Sequence, residues 1–533
     1  MLWPDKAKKY LKKYWNIEEL KDKQFQVINE LLLGNDVIGL LPTGYGKSMC
    51  YLIPPLVTKR TMIIISPLIS LMEDQKEKLN SMNIPCTALH SNNSNKIEEY
   101  SQVINGDIKI IYMSPEYLIK ADGIELASLL IENNMLGFLA IDEAHCISSW
   151  GHDFRPEYAK IKIFREKFPS IPILAVTATA TEMVCKDIVK LLNLTKPKTV
   201  RASFDRPNLY FSVKELPTYT IQTKTKKGSK TETKTMPKHE IMKQYIDKYP
   251  NDKIIVYANS RNDCEELAEK LNKIKKNCAD AYHAGLNKDL RESIQTKFST
   301  GEVKIIVSTI AFGMGIDQIV KCVIIFGCPS SIEEYYQQIG RGGRDGLPCE
   351  TILYFNYSNL MIGKSMIKDI KNKYPILYQY KCENLDRVGK FAYIKTCRRK
   401  FVLEYFNDPN DPINFFNCNN CDNCCEKELV DMTEIIWPIV MRYNVNMITA
   451  VNEFRTKYLT QVTEFIRDKY KIIELDLIEP LKKWKKYIMR KNITLEDIPD
   501  KMRLRIPKKF IKPPQITREL TLDDKIKLYE SLV

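Results

Sequence analysis

"DVIGLLPTGYGKS", residues 36–48, decides how the rest of this chain is read. Its first six positions are an apolar run of strand length, and the positions after them have the pattern of a phosphate-binding loop that opens a helix. Gly44 and Gly46, with Thr43 beside them, let backbone N–H groups approach phosphate oxygens. Lys47 would reach the β- and γ-phosphates, and the Ser48 hydroxyl would ligate Mg²⁺. A strict loop of this kind has glycine at 41, where this chain has Leu41. The strand-to-helix setting of the Thr-Gly-x-Gly-Lys-Ser core outweighs that departure, so ATP is the expected ligand.

Similar short apolar runs recur after this loop: "TMIIIS" (61–66), "IKIIYM" (108–113), "LGFLAI" (136–141) and "IPILAV" (171–176). A second series follows, with "KIIVYA" (253–258), "VKIIVST" (303–309) and "KCVIIFG" (321–327). Runs this short and this apolar read as strands covered on both faces. Alternating with amphipathic stretches, they imply parallel sheets wound with helices. Two α/β domains in tandem are expected, over 1–205 and 206–357. "TKTKKGSKTETKTMPK" (223–238) has no apolar periodicity and reads as a solvated loop near the start of the second domain.

Two acids, Asp142 and Glu143, end the run at 136–141, where side chains emerge at the carboxyl edge of a sheet beside a bound nucleotide. Asp142 would hold Mg²⁺ and Glu143 would orient or deprotonate the attacking water. Acids at a strand end also serve as ordinary helix caps, but a P-loop lysine in the same domain favours the catalytic reading. "QQIGRGGRDG" (337–346) supplies Arg341 and Arg344 on one side of a helical turn. They are placed to stabilise charge on a γ-phosphate held by the neighbouring domain; the alternative is a surface ion-pair set. ATP would then sit in a cleft between two domains whose closure completes the site.

Of the 15 cysteines, Cys418, Cys421 and Cys424 form C-x-x-C-x-x-C, and Cys397 lies upstream in "TCRRKF". Four thiolates fit tetrahedral Zn²⁺, with Cys425 a substitute for Cys424 and Cys382 a spare. An iron–sulfur cluster would also take four cysteines. The amino-terminal stretch lacks a secretory pattern and no run is long enough to span a bilayer, so an intracellular, reducing setting without a membrane is expected. The net charge of +15 favours a polyanionic partner, though a basic, merely soluble surface would give the same value.

With these motifs in hand, the chain resembles the RecQ-type members of superfamily 2 helicases. "SPLISLMEDQ" (66–75), "MSPE" (113–116), "TAT" (177–179), "YHAGL" (282–286) and "STIAFGMGID" (308–317) agree in order, and "DEAHCISSWGHDFRPEY" (142–158) is close to diagnostic. The resemblance runs from about residue 15 to 425. It implies two RecA-like domains, a helical zinc-binding region over 358–428 and a carboxyl-terminal region over 429–533. It further implies ATP, Mg²⁺ and Zn²⁺ as cofactors, and 3′ to 5′ unwinding of DNA in repair, recombination or replication. By position, Trp150, Phe154 and Arg155 inherit the aromatic-rich loop that senses single-stranded DNA, and His145 and His152 link it to the acids. Core packing is the competing reading of Trp150 and Phe154. Gln24 inherits the adenine-reading glutamine, and Gln337 joins the nucleotide-binding set. Lys21 stands where arginine is usual and Ile17 where an aromatic ring usually stacks on the base.

Family members often continue into a winged helix, to which 437–458 bears a faint likeness. "LKKWKKYIMRK" (481–491) and "KMRLRIPKKFIKPP" (501–514) interleave basic and aromatic or apolar residues, as a backbone-tracking surface or a solvated helix would. Single-stranded and forked DNA are the expected partners of a monomer, nuclear or, in a viral or bacterial setting, cytoplasmic. An RNA-directed helicase and a nucleotide-gated annealing protein are the rival readings.

Overall fold

Strands that bury both faces need apolar residues at successive positions, and the quoted runs become the inner strands of two parallel sheets. The structure, a computed structural model, describes residues 2–90, 96–148, 150, 154–225, 228–310, 312, 318–407 and 418–425, together with the backbone of 427–431 and 503–507. The first sheet contains β1 (Val37–Leu40), β2 (Thr61–Ile65), β3 (Cys86–Leu89), β4 (Ile110–Met113), β5 (Leu136–Ile141), β6 (Ile173–Thr177) and β7 (Lys198–Arg201). They lie in the order β3-β4-β2-β5-β6-β1-β7, every pair parallel.

Alternation along the strands builds a core on each face of this sheet. Ile38, Leu40, Ile63, Ile65 and Ile141 face one way, and Val37, Met62, Ile64 and Ala140 the other. This topology positions the site. The P-loop follows β1, Asp142 follows β5, and β6 runs between them, so Thr177 at its end stands between the loop and the acids.

The chain continues through β8 (Leu209–Lys214), β9 (Thr218–Thr225), β10 (Gly228–Thr235), β11 (Ile254–Tyr257), β12 (Ala279–Tyr282), β13 (Ile305–Ser308), β14 (Cys322–Phe326) and β15 (Cys349–Tyr354). The second sheet has the order β12-β13-β11-β14-β15-β8, again parallel throughout. β9 and β10 correct the sequence reading. The segment expected as a solvated loop is an antiparallel ladder pairing Thr218 with Thr235 and Thr220 with Thr233. Threonine is β-branched and favours extended backbone, so the segment pairs although its sequence holds no apolar run.

Four helices matter for the site: α1 (Asp22–Leu32), α2 (Ser48–Thr58), α3 (Ile332–Ile339) and α4 (Pro375–Tyr393). The chain divides into two compact units, Met1–Ile394 with Arg399–Pro412, and Lys395–Arg398 with Ile413–Val533. Both sheets belong to the first. In the second, β16 (Lys427–Asp431) pairs antiparallel with β17 (Arg503–Pro507). The faint winged-helix stretch 437–458 and the basic stretch 481–491 lie outside the described residues, as does 501–514 apart from β17. Among the described residues no helix is long and apolar enough to cross a membrane.

Candidate nucleotide site and zinc centre

Gly44 and Gly46 adopt φ of +81° and +91°, which only glycine takes readily, and this lets the loop curl ahead of α2. Its carbonyls are held from outside. The Gln24 carboxamide on α1 donates to Tyr45 O at 3.0 Å and Gly46 O at 2.9 Å, and accepts from Lys21 N at 2.8 Å. A Cβ on Gly46 would come within 2.5 Å of Gln24 Nε2. The glutamine carried over as an adenine reader is thus also a staple of the P-loop. Lys21 Nζ lies 4.8 Å from the centre of the Tyr45 ring, while Ile17 is exposed.

Lys47 and Glu143 meet across the strand ends, with Lys47 Nζ 3.0 Å from Glu143 Oε1, both largely buried. Glu143 sits at φ +47°, uncommon for a residue with a side chain, as the chain breaks sharply away from β5. Burial alone would raise its carboxyl, but Lys47 and His145 outweigh that and hold it well below the usual range. Asp142 goes the other way: burial first, then the neighbouring Glu143 charge, pushes it up to about 6. Environment therefore divides the two acids, and in the direction opposite to their expected roles, because Lys47 and His145 lie on Glu143.

The Tyr51 hydroxyl lies 3.1 Å from Ser48 Oγ and 3.2 Å from Asp142 Oδ2, drawing together the two oxygens expected to hold Mg²⁺. A hydroxyl and a carboxylate are the hard oxygen donors that this ion takes, so the residues fit it. Tyr51 follows Ser48 by three positions, one helical turn, a signal the sequence reading left unused. His145 is buried with Nδ1 2.8 Å from Thr177 Oγ1 and 3.3 Å from Glu143 Oε2. One bridge it forms runs from the acid to the "TAT" segment.

A cavity of about 650 Å³ opens beside the P-loop, lined by Lys21, Thr43, Gly44, Tyr45, Arg206 and Arg344 among others. The arginine motif follows α3 and packs directly on the P-loop, where a Cβ on Gly340 would lie 3.1 Å from Thr43 Cβ. Arg341 and Arg344 face Tyr257 at the end of β11, whose hydroxyl burial raises and the two guanidiniums pull back. Gln337 is half-buried on α3 and is not among the residues lining the cavity.

Trp150 is half-buried against the core of the first sheet, its ring 4.8 Å from and edge-on to Tyr380 of α4. The Tyr380 hydroxyl also donates to Trp150 O at 2.9 Å. Phe154 is 44% exposed, and Arg155 donates to Pro67 O in the "SPLISLMEDQ" segment. His152 lies outside the described residues.

In the second unit the Sγ atoms of Cys397, Cys418, Cys421 and Cys424 all lie within 4.8 Å of one another. Zn–S bonds of about 2.3 Å place tetrahedral sulfurs about 3.8 Å apart, so the set fits zinc with little adjustment. Hydrogen bonding among the four thiols splits them, lowering Cys424 and Cys421 and raising Cys397 and Cys418, as expected of sulfurs held this close together. Asn420 N donates to Cys418 Sγ at 3.3 Å, and Arg398 Nε to Asp422 Oδ1 at 2.6 Å, fixing the turn that carries the ligands. Cys425 is exposed and Cys382 lies on α4; neither joins the cluster.

Comparison with known proteins follows the same outline. The DEAD/DEAH box helicase family matches residues 21–188, the helicase conserved C-terminal domain 237–346, and the RecQ zinc-binding family 358–425. A protein of Acanthamoeba polyphaga mimivirus, named as an ATP-dependent RNA helicase, is 39% identical over 404 residues, covering 76% of this chain and 70% of its own length. The ATP-dependent DNA helicase RecQ of Haemophilus influenzae is 38% identical over 404 residues, covering 75% of this chain and 61% of its own. Among solved structures, the DUF1998 helicase MrfA bound to DNA and AMPPNP has a TM-score of 0.55 at 19% identity, covering 76% of this chain and 57% of that one. This last likeness concerns the fold. Two tandem parallel sheets with a P-loop and an acid pair on the first and an arginine motif on the second define a DEAD/DEAH-box motor. Within that class, the cysteine centre and the relatives place the chain in the RecQ family. It spans less than two thirds of the bacterial relative's length.

Proposed function

We propose that this chain is an ATP-dependent DNA helicase that moves 3′ to 5′ on single-stranded DNA and opens forked duplexes, serving repair, recombination or replication. One observation carries the reading: Lys47 and Glu143 pair at 3.0 Å, and the P-loop that ends at Lys47 lines a cavity together with Arg344. Phosphate oxygens offer Lys47 a stronger partner than a single carboxylate, so nucleotide binding draws it off Glu143. Glu143 is then free to orient or deprotonate water, while Arg341 and Arg344 stabilise charge leaving the γ-phosphate. Mg²⁺, held by Ser48 and Asp142, would neutralise the phosphate oxygens. Trp150 and Phe154 stack on bases of any sequence, and Arg155, His145 and His152 complete the coupling to hydrolysis.

Gln24 contributes adenine selectivity alongside its hold on the P-loop, Gln337 supports the nucleotide from the second domain, and the protein acts as an intracellular monomer, nuclear or, in a virus or bacterium, cytoplasmic. Lys47→Ala is expected to abolish DNA-stimulated ATP hydrolysis; intact stimulation would refute the motor reading. Unwinding of 3′-tailed, 5′-tailed and forked duplexes tests the polarity. The name of the viral relative supports a second reading, an RNA-directed motor. DNA and RNA strands of equal length separate the two by the ATPase rate each evokes.

A further inference from the structure

The segment that joins the two sheets carries a device no motif announced. Arg206 donates from Nη1 to Thr43 O at 2.9 Å, and from Nη2 to Gly342 O at 3.0 Å and Gly343 O at 2.8 Å. One guanidinium thus grips the P-loop of the first sheet and the arginine motif of the second. Two residues on, Asn208 Nδ2 donates to Gly343 O at 2.8 Å and Leu347 O at 2.9 Å, so the turn bearing Arg344 is clasped on both sides. The segment is anchored in turn: Arg399 Nη1 donates to Asp205 Oδ1 at 2.6 Å, and the Tyr336 hydroxyl of α3 to Phe204 O at 2.6 Å.

Three features make this more than packing. All three short bonds from Arg206 end on backbone carbonyls, so they fix main-chain orientation and not another side chain. Across a planar trans peptide, a carbonyl and the next N–H point in opposite directions. Holding Thr43 O therefore also fixes the direction of the Gly44 N–H, a donor of the phosphate-binding loop. Finally, Arg206 lines the 650 Å³ cavity itself, and burial lowers its affinity for a proton, so it is a partly desolvated cation beside the P-loop.

We propose that Arg206 is a positioning residue that yokes the P-loop to the arginine motif, setting the separation at which Lys47, Arg341 and Arg344 act on one phosphate. It rests on the reading of this chain as an ATPase. A planar fork with several donors is required, because a lysine ammonium in its place could hold one domain but not both in the same geometry.

The test uses the full chain with saturating single-stranded DNA, comparing Arg206→Ala and Arg206→Lys with the parent. Both variants should lose about 10- to 100-fold in kcat, the loss that misplacing catalytic groups by about an ångström produces. Affinity for a fluorescent ATP analogue should stay within about fivefold. Amide exchange should speed up in 42–48 and 340–347 together, while the sheet strands keep their protection and thermal melting is little changed. Full activity of Arg206→Lys would show that charge alone suffices and overturn the yoke. A loss of analogue affinity beyond tenfold with kcat preserved would make Arg206 a direct phosphate ligand and overturn it equally. Lys47→Ala in the same assay separates the two claims: if it retains hydrolysis the ATPase reading fails, whereas if it is inactive and Arg206→Ala is normal only the yoke fails.

Discussion

Lys47 and Glu143 pair at 3.0 Å, so a nucleotide that takes Lys47 competes with that carboxylate. Neutralising the acid removes the competitor, so Glu143→Gln should bind ATP about tenfold more tightly, about 1.4 kcal/mol, while turnover falls by about 10²- to 10⁴-fold. Equilibrium titration with a fluorescent analogue and a steady-state assay measure the two halves; unchanged affinity would mean the pair does not oppose binding. The residues in this exchange were legible because P-loop and acid-pair chemistry restricts each position to few residue types. Arg206 was not. One cation among 81 lysines and arginines has no pattern of its own, and its meaning arises only when three carbonyls from distant segments converge on it. Tyr51 is intermediate, since its helical spacing from Ser48 was visible but its contact with Asp142 needed the fold.

Strands were read in the interior of the sheets and missed at or next to their edges. The eight quoted runs all became strands, whereas "CTAL" (86–89), "KTVR" (198–201), "LYFSVK" (209–214) and "ADAY" (279–282) form the outer strands of the two sheets, and "CETILY" (349–354) lies next to an edge. Edge strands mix polar with apolar residues and so lose the signal that identifies inner ones. The β9–β10 ribbon was missed for a related reason, having threonine alternation but no apolar run. Its base is closed by Met236 N donating to Pro217 O at 2.7 Å, so the ends meet without it. Replacing 218–235 with Gly-Gly should leave DNA-stimulated ATPase within about twofold and shift Tm by no more than about 2 °C. A collapse of either by calorimetry or assay would give the ribbon a structural or catalytic role. The aromatic-rich loop presents the opposite case, an element tied down by its neighbour. An edge-on ring contact and one hydrogen bond join Trp150 to Tyr380, together about 2 kcal/mol by ordinary values. Tyr380→Ala should free the loop, raise DNA-independent hydrolysis severalfold and so lower the stimulation ratio; an unaltered ratio would leave the contact as packing alone.

At the scale of the molecule, the order of the parts was legible because each has its own chemistry: apolar strands and a P-loop, then an arginine motif, then clustered cysteines. Their grouping was not, since it depends on which segments pack together. The first compact unit takes in both sheets and the helix Pro375–Tyr393, whereas the four clustered cysteines belong to the second unit, which Lys395–Arg398 joins across the intervening 399–412. Every group assigned to nucleotide chemistry is on the first unit, and none of the cysteine ligands is. Metal removal should therefore act unequally. Chelation of the purified chain should release about one zinc ion and destabilise the second unit, because a metal held by four ligands contributes its binding free energy to folding. Affinity for a fluorescent ATP analogue should meanwhile change by less than about threefold, since Gln24, Arg206 and the P-loop carbonyls they hold stay in place. Cys421→Ser should reproduce both effects without chelator. Calorimetry should then show the transition of the motor unit retained while an earlier one moves down in temperature. Loss of nucleotide binding in step with zinc release would show that the two units fold as one and that the division between them is not thermodynamic.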